Sequence, residues 1–350
     1  MNILESAKDA IANFSMPDQV GFGKVLLPIM ATCEYKRGEW GELKVGPYQK
    51  LELDPTCKVL HYGQEIFEGM KAYNFKGNGP NLFRPLENYK RFNFSARRMA
   101  MPEVPADVFT NAVNTIVKMG ENFIPKRSGE SLYIRPFMIA TENNLGIKPS
   151  EEFLFIVIAS PVESYFSGGS YKVLIERDMV RACPGGMGNA KTGGNYAGAL
   201  NSAVRTQSKG LHQNLWLSAL DRSSIEELSG MNFFAVIDGE IHTPELTETI
   251  LDGITRRSLI DIARSKGMKV IERKMNIDDL VEDIRSKKCT ECFSCGTAAI
   301  ITPIGSLHED DGAFVNVQNE FGPVTKMLRE TLLGIQEKTV EDQFNWVVNL

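Results

Sequence analysis

The sequence lacks the features that mark several large classes of protein. Only six of its 350 residues are cysteine, and their uneven spacing does not suit a disulfide framework. The longest apolar run, residues 153–159, is far shorter than the roughly eighteen residues that a membrane-spanning helix needs. The net charge of −5 provides no basic footprint for nucleic acid or for a membrane surface. These absences exclude a disulfide scaffold, a membrane span and a basic nucleic-acid-binding protein.

The composition that remains is that of a soluble globular protein. Hydrophobic residues make up 43% of the chain and charged residues 24%. At about 150 residues per domain, the length allows roughly two domains. The first residues lack the charged and apolar regions of a signal peptide, and they are too acidic for a transit peptide. We therefore expect a cytoplasmic protein.

The periodicity of apolar residues predicts a mixed α/β (α+β) fold in two unequal parts. The small polar residues around 163–170 are the best candidate for a linker, so we expect a smaller domain over 1–163, an interdomain loop over 164–172 and a larger domain over 173–350. The predicted strands are 57–75, 80–84, 131–139, 152–161, 171–177, 214–219, 268–273 and 290–295, with a hairpin over 231–243 that turns at Asp238-Gly239. The predicted helices are 85–99, 107–122, 194–209, 255–266, 276–286 and 322–336.

Glycine is concentrated around one lysine. Six of the thirty glycines lie between positions 185 and 198, on both sides of Lys191. A phosphate-binding P-loop would need glycine directly before its lysine, whereas Ala190 stands there. The segment is therefore not a P-loop. Flanking glycines cost stability unless the backbone turns sharply or approaches another group closely, which argues against an ordinary surface lysine.

The same lysine lies in a stretch of sequence without acids. No acidic residue occurs in the 42 positions between Asp178 and Asp221, where about five are expected from 44 in 350. A lysine among small residues, with no nearby carboxylate in the sequence to hold its proton, is a candidate for nucleophilic amine chemistry. The ordinary alternative is a solvated surface charge.

Several motifs together resemble one enzyme family. The segment Lys191-Thr-Gly-Gly-Asn-Tyr196 resembles the Schiff-base lysine segment of the branched-chain amino-acid aminotransferases, which are pyridoxal-phosphate enzymes of fold type IV. The other motifs occur in the family's order and at similar spacing, over about residues 25–335. They are His61-Tyr-Gly-Gln-Glu-Ile-Phe67-Glu-Gly-Met70-Lys, Tyr133-Ile-Arg135-Pro, Glu227-Leu-Ser-Gly-Met-Asn232, Asp252-Gly-Ile-Thr255-Arg256 and Ser294-Cys-Gly-Thr297-Ala298.

This resemblance implies both a fold and an activity. The fold would have a smaller N-terminal α/β domain and a larger C-terminal domain with a β-barrel-like core flanked by helices. The activity would be reversible ping-pong amino transfer between L-leucine, L-isoleucine or L-valine and 2-oxoglutarate, with pyridoxal 5′-phosphate as cofactor. The family also implies a homodimer that acts on small molecules.

The resemblance assigns the cofactor to particular residues. Lys191 would bind pyridoxal phosphate as a Schiff base and later move the Cα proton, Glu227 would face the pyridine nitrogen, and Tyr196 would hydrogen-bond the phenolic oxygen. Taken alone, Glu227 could equally be a surface helix-capping acid, and Tyr196 could be a core residue. The phosphate would be held by Arg91, Ile254, Thr255 and Thr297.

The residues themselves support part of the phosphate assignment. Residues 252–255 directly precede an amphipathic stretch, so their N–H groups should open a helix, where an anion binds favourably. Arg91 has weaker support, because other basic residues share its predicted helix and a solvated basic face is the alternative.

Strand periodicity places two polar side chains together. Tyr133 and Arg135 alternate with apolar neighbours and so share one face of a strand, and Phe67 and Gly69 share a face in the same way. By resemblance, Tyr133 and the amides of Thr297 and Ala298 would take the α-carboxylate, and Arg135 would take the distal carboxylate of glutamate. Tyr62, Phe67 and Tyr165 would line the aliphatic pocket, with Tyr62 reaching the site of the neighbouring subunit.

Cys289, Cys292 and Cys295 have spacings that metal ligands also use. We predict no metal site, because on a regular strand Cys289 and Cys292 point to opposite faces, as do Cys292 and Cys295.

Two other kinds of function remain open from the sequence. One is another enzyme of the same fold, either a D-amino-acid aminotransferase or an aminodeoxychorismate lyase. The other is a protein without catalytic activity that binds a nucleotide or another phosphate ligand through the glycine-rich segment.

Overall fold

The computed structural model describes residues 1–164, 169–318 and 321–350. The chain forms two compact units. The first contains the residues up to 164 together with 190–193 and 335–350, and the second contains 169–189 and 194–334. The predicted domain boundary at 164–172 includes residues outside the described ranges, so it stays a prediction. Within those ranges, no helix is both long and apolar enough to cross a bilayer.

Strands and helices occur throughout both units, which confirms the predicted mixed α/β class. The strands are β1 (Asn2–Ile3), β2 (Ile29–Lys36), β3 (Glu39–Trp40), β4 (Lys44–Pro47), β5 (Glu65–Phe67), β6 (Met70–Tyr73), β7 (Asn81–Phe83), β8 (Ser131–Ala140), β9 (Phe153–Val162), β10 (Tyr171–Glu176), β11 (Gln213–Leu217), β12 (Ile225–Leu228), β13 (Met231–Ile237), β14 (Glu240–Pro244), β15 (Val270–Arg273), β16 (Cys289–Gly296), β17 (Ile300–His308), β18 (Phe314–Asn316) and β19 (Val347–Asn349). The α-helices are α1 (Glu5–Ala12), α2 (Lys58–Tyr62), α3 (Pro85–Arg98), α4 (Ala106–Met119), α5 (Gly193–Ala197), α6 (Leu200–Ser208), α7 (Ile254–Ser265), α8 (Ile277–Arg285) and α9 (Pro323–Gln336).

The first unit is built on one large sheet. Its strands run in the order β1-β4-β2-β9-β8-β6-β7-β19, with β3 paired to β2 and β5 paired to β8. The apolar strand β9 lies between β2 and β8, as expected for a central strand. Phe92 of α3 and Phe109 of α4 pack against Phe155 of β9, so both helices cover one face of this sheet.

The second unit contains a closed barrel. Strand β12 pairs with both β11 and β13, and these pairings close β10, β11, β12, β13, β16 and β17 into a ring. Strands β13 and β14 form the predicted hairpin, and Asp238 and Gly239 at its turn both have positive φ, at 50° and 79°. Such values are those of the primed turns that match the twist of a hairpin.

Some predicted elements are wrong. Residues 58–62 form the helix α2 rather than a strand, and the helix ends at Gly63 in the left-handed conformation (φ 57°). The helix predicted over 194–209 is interrupted, giving α5 and α6. Strand β17 was not predicted because Pro303 and Gly305 break its pattern, yet Pro303 is paired with Phe293 inside the barrel.

The geometry predicted for the cysteines is also wrong. Strand β16 contains a bulge, because Val236 is paired with Glu291 whereas the next residue, Ile237, is paired with Cys289. The extra residue, Thr290, turns Cys289 to the same side as Cys292, and their Sγ atoms are 3.6 Å apart in the barrel core.

Candidate active site

Lys191 is held against strand β5 in the first unit. Its carbonyl accepts a hydrogen bond from the N–H of Phe67 (3.0 Å), and its own N–H donates to the Ser95 hydroxyl (2.9 Å). The next residue, Thr192, donates its hydroxyl to the carbonyl of Glu65 (2.7 Å). With the backbone fixed in this way, the Lys191 Nζ lies 4.7 Å from the centre of the Phe67 ring. The glycine-rich segment therefore presents its amine to an aromatic face.

A tyrosine and an arginine lie beside that ring. Phe67 is paired with Phe137 across β5 and β8, and Tyr133, Arg135 and Phe137 are the half-buried residues of β8 between fully buried ones. This alternation confirms that Tyr133 and Arg135 share a face. The Arg135 guanidinium lies 4.6 Å from the centre of the Phe67 ring and donates to the Tyr133 hydroxyl at 3.0 Å. The arrangement combines an apolar wall with two groups that can bind a carboxylate.

Arg91 does not lie on a solvated basic face. It is 9% exposed and makes an ion pair with the fully buried Glu68, with 2.7 Å between Arg91 Nε and Glu68 Oε1. Asn88 donates to the other carboxylate oxygen of Glu68 at 2.7 Å. Burial raises the pKa of Glu68, but the charges of Arg91 and Lys191 and the hydrogen bonds from Arg91 and Asn88 outweigh it, and the pKa lies below its usual value.

Two acids of the first unit interact with the lysine segment, although no acid lies near it in the sequence. The charge of Lys191 acts on Glu68, as the lowered pKa of that carboxyl shows. The Glu65 carboxylate accepts a hydrogen bond from the N–H of Gly193, and burial raises the pKa of Glu65 against the opposing effects of this bond and of Arg135. Acid-free sequence therefore does not mean acid-free surroundings.

In the second unit, Glu227 is buried on strand β12, so it is not a surface helix-capping acid. Its Oε1 is 2.8 Å from an Arg181 Nη2 atom, and its Oε2 accepts from the Asn232 amide at 3.0 Å. The N–H of Leu251 also donates to Oε1, at 3.3 Å. These contacts fix the orientation of the carboxylate and favour its ionised form.

The N-terminus of α7 lies next to this carboxylate. Asn232 donates to the carbonyl of Leu251 (2.9 Å), and a Cβ on Gly253 would be only 3.2 Å from the Asn232 Cγ. Gly253 precedes the helix, and no side chain caps the helix there. The first N–H groups of α7, from Ile254 and Thr255 onward, therefore point out of the helix end without intrahelical acceptors. The helix start predicted at these residues is confirmed.

Two turns of the barrel bring Tyr196 and Thr297 close to the same place. A Cβ on Gly230, in the β12–β13 turn, would lie 3.9 Å from Tyr196 Cε1. A Cβ on Gly296, which directly precedes Thr297, would lie 3.3 Å from the carbonyl oxygen of Gly230. The second unit thus brings together Tyr196, Glu227, the start of α7 and the turn that contains Thr297 and Ala298.

The remaining predicted residues are less informative. Tyr62, at the end of α2, is 42% exposed and donates its hydroxyl to the carbonyl of Leu145. Tyr165 lies outside the described residues.

The sequence analysis missed Arg181 and Glu68. Glu68 could have been noticed, because it falls on the opposite strand face from Phe67, where a buried charge needs a partner. Arg181 carried no comparable signal, since only the tertiary fold shows that it pairs with Glu227.

Comparisons with known proteins agree with this geometry. Residues 65–307 match the family of class IV amino-transferases. The chain is 45% identical over 334 residues to a probable branched-chain-amino-acid aminotransferase of Streptomyces coelicolor, covering 94% of this chain and 92% of that protein. The crystal structure of the Escherichia coli branched-chain amino acid aminotransferase matches with a TM-score of 0.74 and 27% identity, over 91% of this chain and 98% of the other. The branched-chain amino acid aminotransferase of T.th., complexed with N-(5′-phosphopyridoxyl)-L-glutamate, matches with a TM-score of 0.73 and 28% identity, again over 91% and 98%.

Proposed function

Because the chain belongs to the class IV aminotransferases, we propose that it is a pyridoxal-phosphate-dependent branched-chain amino-acid aminotransferase. It transfers an amino group reversibly, by a ping-pong mechanism, between L-leucine, L-isoleucine or L-valine and 2-oxoglutarate. The observation that carries this proposal is the placement of the Lys191 amine over the Phe67 ring, beside the bonded pair Tyr133 and Arg135. An amine, an apolar wall and carboxylate-binding groups are what this reaction needs.

The residues present fit the cofactor. Glu227 is a buried carboxylate held by Arg181 and Asn232, which suits a protonated ring nitrogen, and the uncapped start of α7 suits a phosphate. Pyridoxal phosphate, when bound, supplies an aldehyde that takes the amino group and a ring that accepts electrons. Tyr196 would donate to its phenolic oxygen, and the N–H groups of Ile254 and Thr255, with Thr297, would hold its phosphate. Arg91 is the proposed side-chain ligand of that phosphate.

Lys191 is the proposed catalytic base. Its amine would hold the cofactor in the absence of substrate and afterwards move the proton at the substrate Cα. The hydrogen bonds to Phe67 and Ser95 fix the backbone of Lys191, so only its side chain has to move between these two tasks.

Substrate binding follows from the face of β8. Tyr133 and the amides of Thr297 and Ala298 would bind the α-carboxylate, and Arg135 would bind the distal carboxylate of glutamate. Phe67, with Tyr62 and Tyr165, would contact the aliphatic side chains. An apolar pocket separates aliphatic homologues by only about 1–3 kcal/mol per methylene, so all three branched-chain amino acids should react.

We further propose that the protein is cytoplasmic and acts as a homodimer. The support for the dimer is the exposed Tyr62, whose counterpart in the family reaches the neighbouring subunit.

Lys191→Ala tests this function. We expect transamination of L-leucine with 2-oxoglutarate to be abolished, together with the visible absorbance of lysine-bound cofactor, while the circular dichroism spectrum stays unchanged. Lys118→Ala, on the exposed side of α4, is the matched control and should keep full activity. Near-normal turnover of Lys191→Ala would refute the proposal.

Substrate preference separates the related enzymes. Initial rates of the wild-type protein with L-leucine, D-alanine and aminodeoxychorismate should be highest with L-leucine. A preference for either of the other two would assign the protein to a different activity of the same fold.

A further inference from the structure

A cavity of about 320 Å³ lies in the second unit, away from the residues described so far. It is lined by the β11–β12 connection, by the loop that follows β14 and by the end of β15. None of the residues proposed to bind cofactor or substrate lines it. Its volume is at the lower end of the range of small-molecule sites, which suits a ligand of roughly ten heavy atoms.

The inner wall of the cavity carries an incompletely bonded carboxylate. Glu226 is 4% exposed, and its Oε1 accepts a hydrogen bond from the Thr249 hydroxyl at 2.6 Å. Its Oε2 has no hydrogen-bond partner among the described residues. Glu226 precedes Glu227 on β12, so the two side chains point to opposite faces of the strand. Leaving a buried carboxylate oxygen unbonded is costly, and a ligand that donates a hydrogen bond to it removes this cost.

The charges that line the cavity favour a cation. Four carboxylates line it against two cations, Arg273 and Lys274, which leaves a formal excess of two negative charges. Lys274 is paired with the Asp221 carboxylate at 2.9 Å, and Arg273 donates to His242 at 3.0 Å, so both cations already have partners. The lining carboxylates are Asp221, Glu226, Glu245 and Glu248.

The rest of the lining includes apolar groups. Leu220, Ile225 and Ile250 contribute aliphatic surface, and Pro184 and Pro244 add ring surface. Leu220 is 78% exposed whereas Ile225 is 3% exposed, so the cavity runs from the surface to the buried strand that carries Glu226. A suitable ligand has a charged end with N–H donors and a short apolar body.

We propose that this cavity binds a small organic cation, with an ammonium, amidinium or guanidinium group on Glu226 and an apolar body against Leu220 and Ile250. The site is separate from the one that binds the transamination substrates. Hydrogen bonds to a charged group contribute about 1.5–3 kcal/mol, which corresponds to roughly 10- to 100-fold in affinity.

Calorimetric titration of the cofactor-loaded protein with benzamidine tests the proposal. An amidine is used because a primary amine would react with an aldehyde cofactor. We expect one benzamidine per chain and at least a tenfold weaker affinity for Glu226→Gln. Glu245→Gln removes the same charge from an exposed lining residue and should change the affinity less than threefold, because water and salt screen that charge. Absence of binding to the wild type, or equal affinity of wild type and Glu226→Gln, would overturn the proposal.

A crystal structure of the wild-type complex provides a second test that does not depend on the folding of a variant. The amidinium should lie within hydrogen-bond distance of Glu226 Oε2. Benzamidine bound elsewhere, with this cavity empty, would also overturn the proposal.

Discussion

The phenol of Tyr133 occupies the space that a side chain on Gly69 would need. A Cβ built on Gly69 would lie only 2.9 Å from the Tyr133 Cζ and still closer to the hydroxyl oxygen. The next residue, Met70, is paired with Ile134 of β8, which brings Gly69 alongside the strand that carries Tyr133 and Arg135. The absence of a side chain at position 69 therefore determines where the hydroxyl that accepts from Arg135 can lie.

Replacing Gly69 by alanine should displace Tyr133 from this position. We expect Gly69→Ala to raise the KM for both L-leucine and 2-oxoglutarate by about tenfold or more, because misplacing a binding group by about 1 Å is enough to cost up to 10²-fold. Steady-state kinetics measure the effect. The control is Gly41→Ala, whose new Cβ would have its nearest contact at an ordinary 3.5 Å, and it should stay within twofold of wild type. Unchanged KM values in Gly69→Ala would show that the hydroxyl position does not matter.

Replacing Glu227 by glutamine should impair catalysis more than cofactor binding. Glutamine keeps an acceptor for Asn232 but cannot hold a positively charged ring nitrogen, so we expect kcat to fall by roughly 10²-fold or more. The measurements are kcat and the cofactor content of the purified variant. Glu240→Gln, which breaks only an exposed ion pair with Lys269, should retain wild-type kcat. An unaltered kcat in Glu227→Gln would remove the role proposed for this carboxylate.

The buried pair of Glu68 and Arg91 should make stability depend on pH. The pKa of Glu68 is lower in the folded protein than its usual value of 4.5, so its contribution is complete above about that pH and is lost as the pH falls through the folded value. Glu68→Gln leaves Arg91 buried without a counter-charge, and we expect a loss of about 3–5 kcal/mol at pH 7. The difference from wild type should shrink below pH 4.5, as measured by urea unfolding at several pH values.

An exposed ion pair of the same length is the control for that experiment. Lys8 and Glu5 are also 2.7 Å apart but lie on the surface of α1. Glu5→Gln should change the free energy of unfolding by less than about 1 kcal/mol at every pH. A loss in Glu68→Gln that is equally small, or that does not vary with pH, would contradict the assignment.

The cysteines should differ strongly in reactivity. Cys183 is exposed, whereas Cys289, Cys292 and Cys295 are buried. The hydrogen bond from Cys289, together with burial, raises the pKa of Cys292 well above its usual range, which leaves little of the reactive thiolate. We expect iodoacetamide to label Cys183 alone among these four in the native protein, as detected by peptide mass spectrometry. Labelling of Cys292 at a comparable rate would show that the barrel opens readily.

The sequence by itself determined the features that depend on local pattern. Alternation along β8 placed Tyr133 and Arg135 on one face, Asp238-Gly239 predicted the hairpin, and the apolar pattern after Gly253 predicted the start of α7. Each of these depends on neighbours only a few residues away, and backbone geometry fixes how such neighbours are arranged. The family motifs could be recognised for the same reason, because each of them is short and contiguous.

Only the tertiary structure decided which distant residues meet. It brought Glu68 under the influence of Lys191, paired Arg181 with Glu227, and placed the sulfurs of Cys289 and Cys292 in contact through a bulge. Strand pairing and register set these contacts, and a single extra residue in a strand reverses the direction of every side chain beyond it. Periodicity in the sequence therefore predicted the elements and several faces of this protein, whereas the electrostatic surroundings of its candidate catalytic groups depended on long-range pairing.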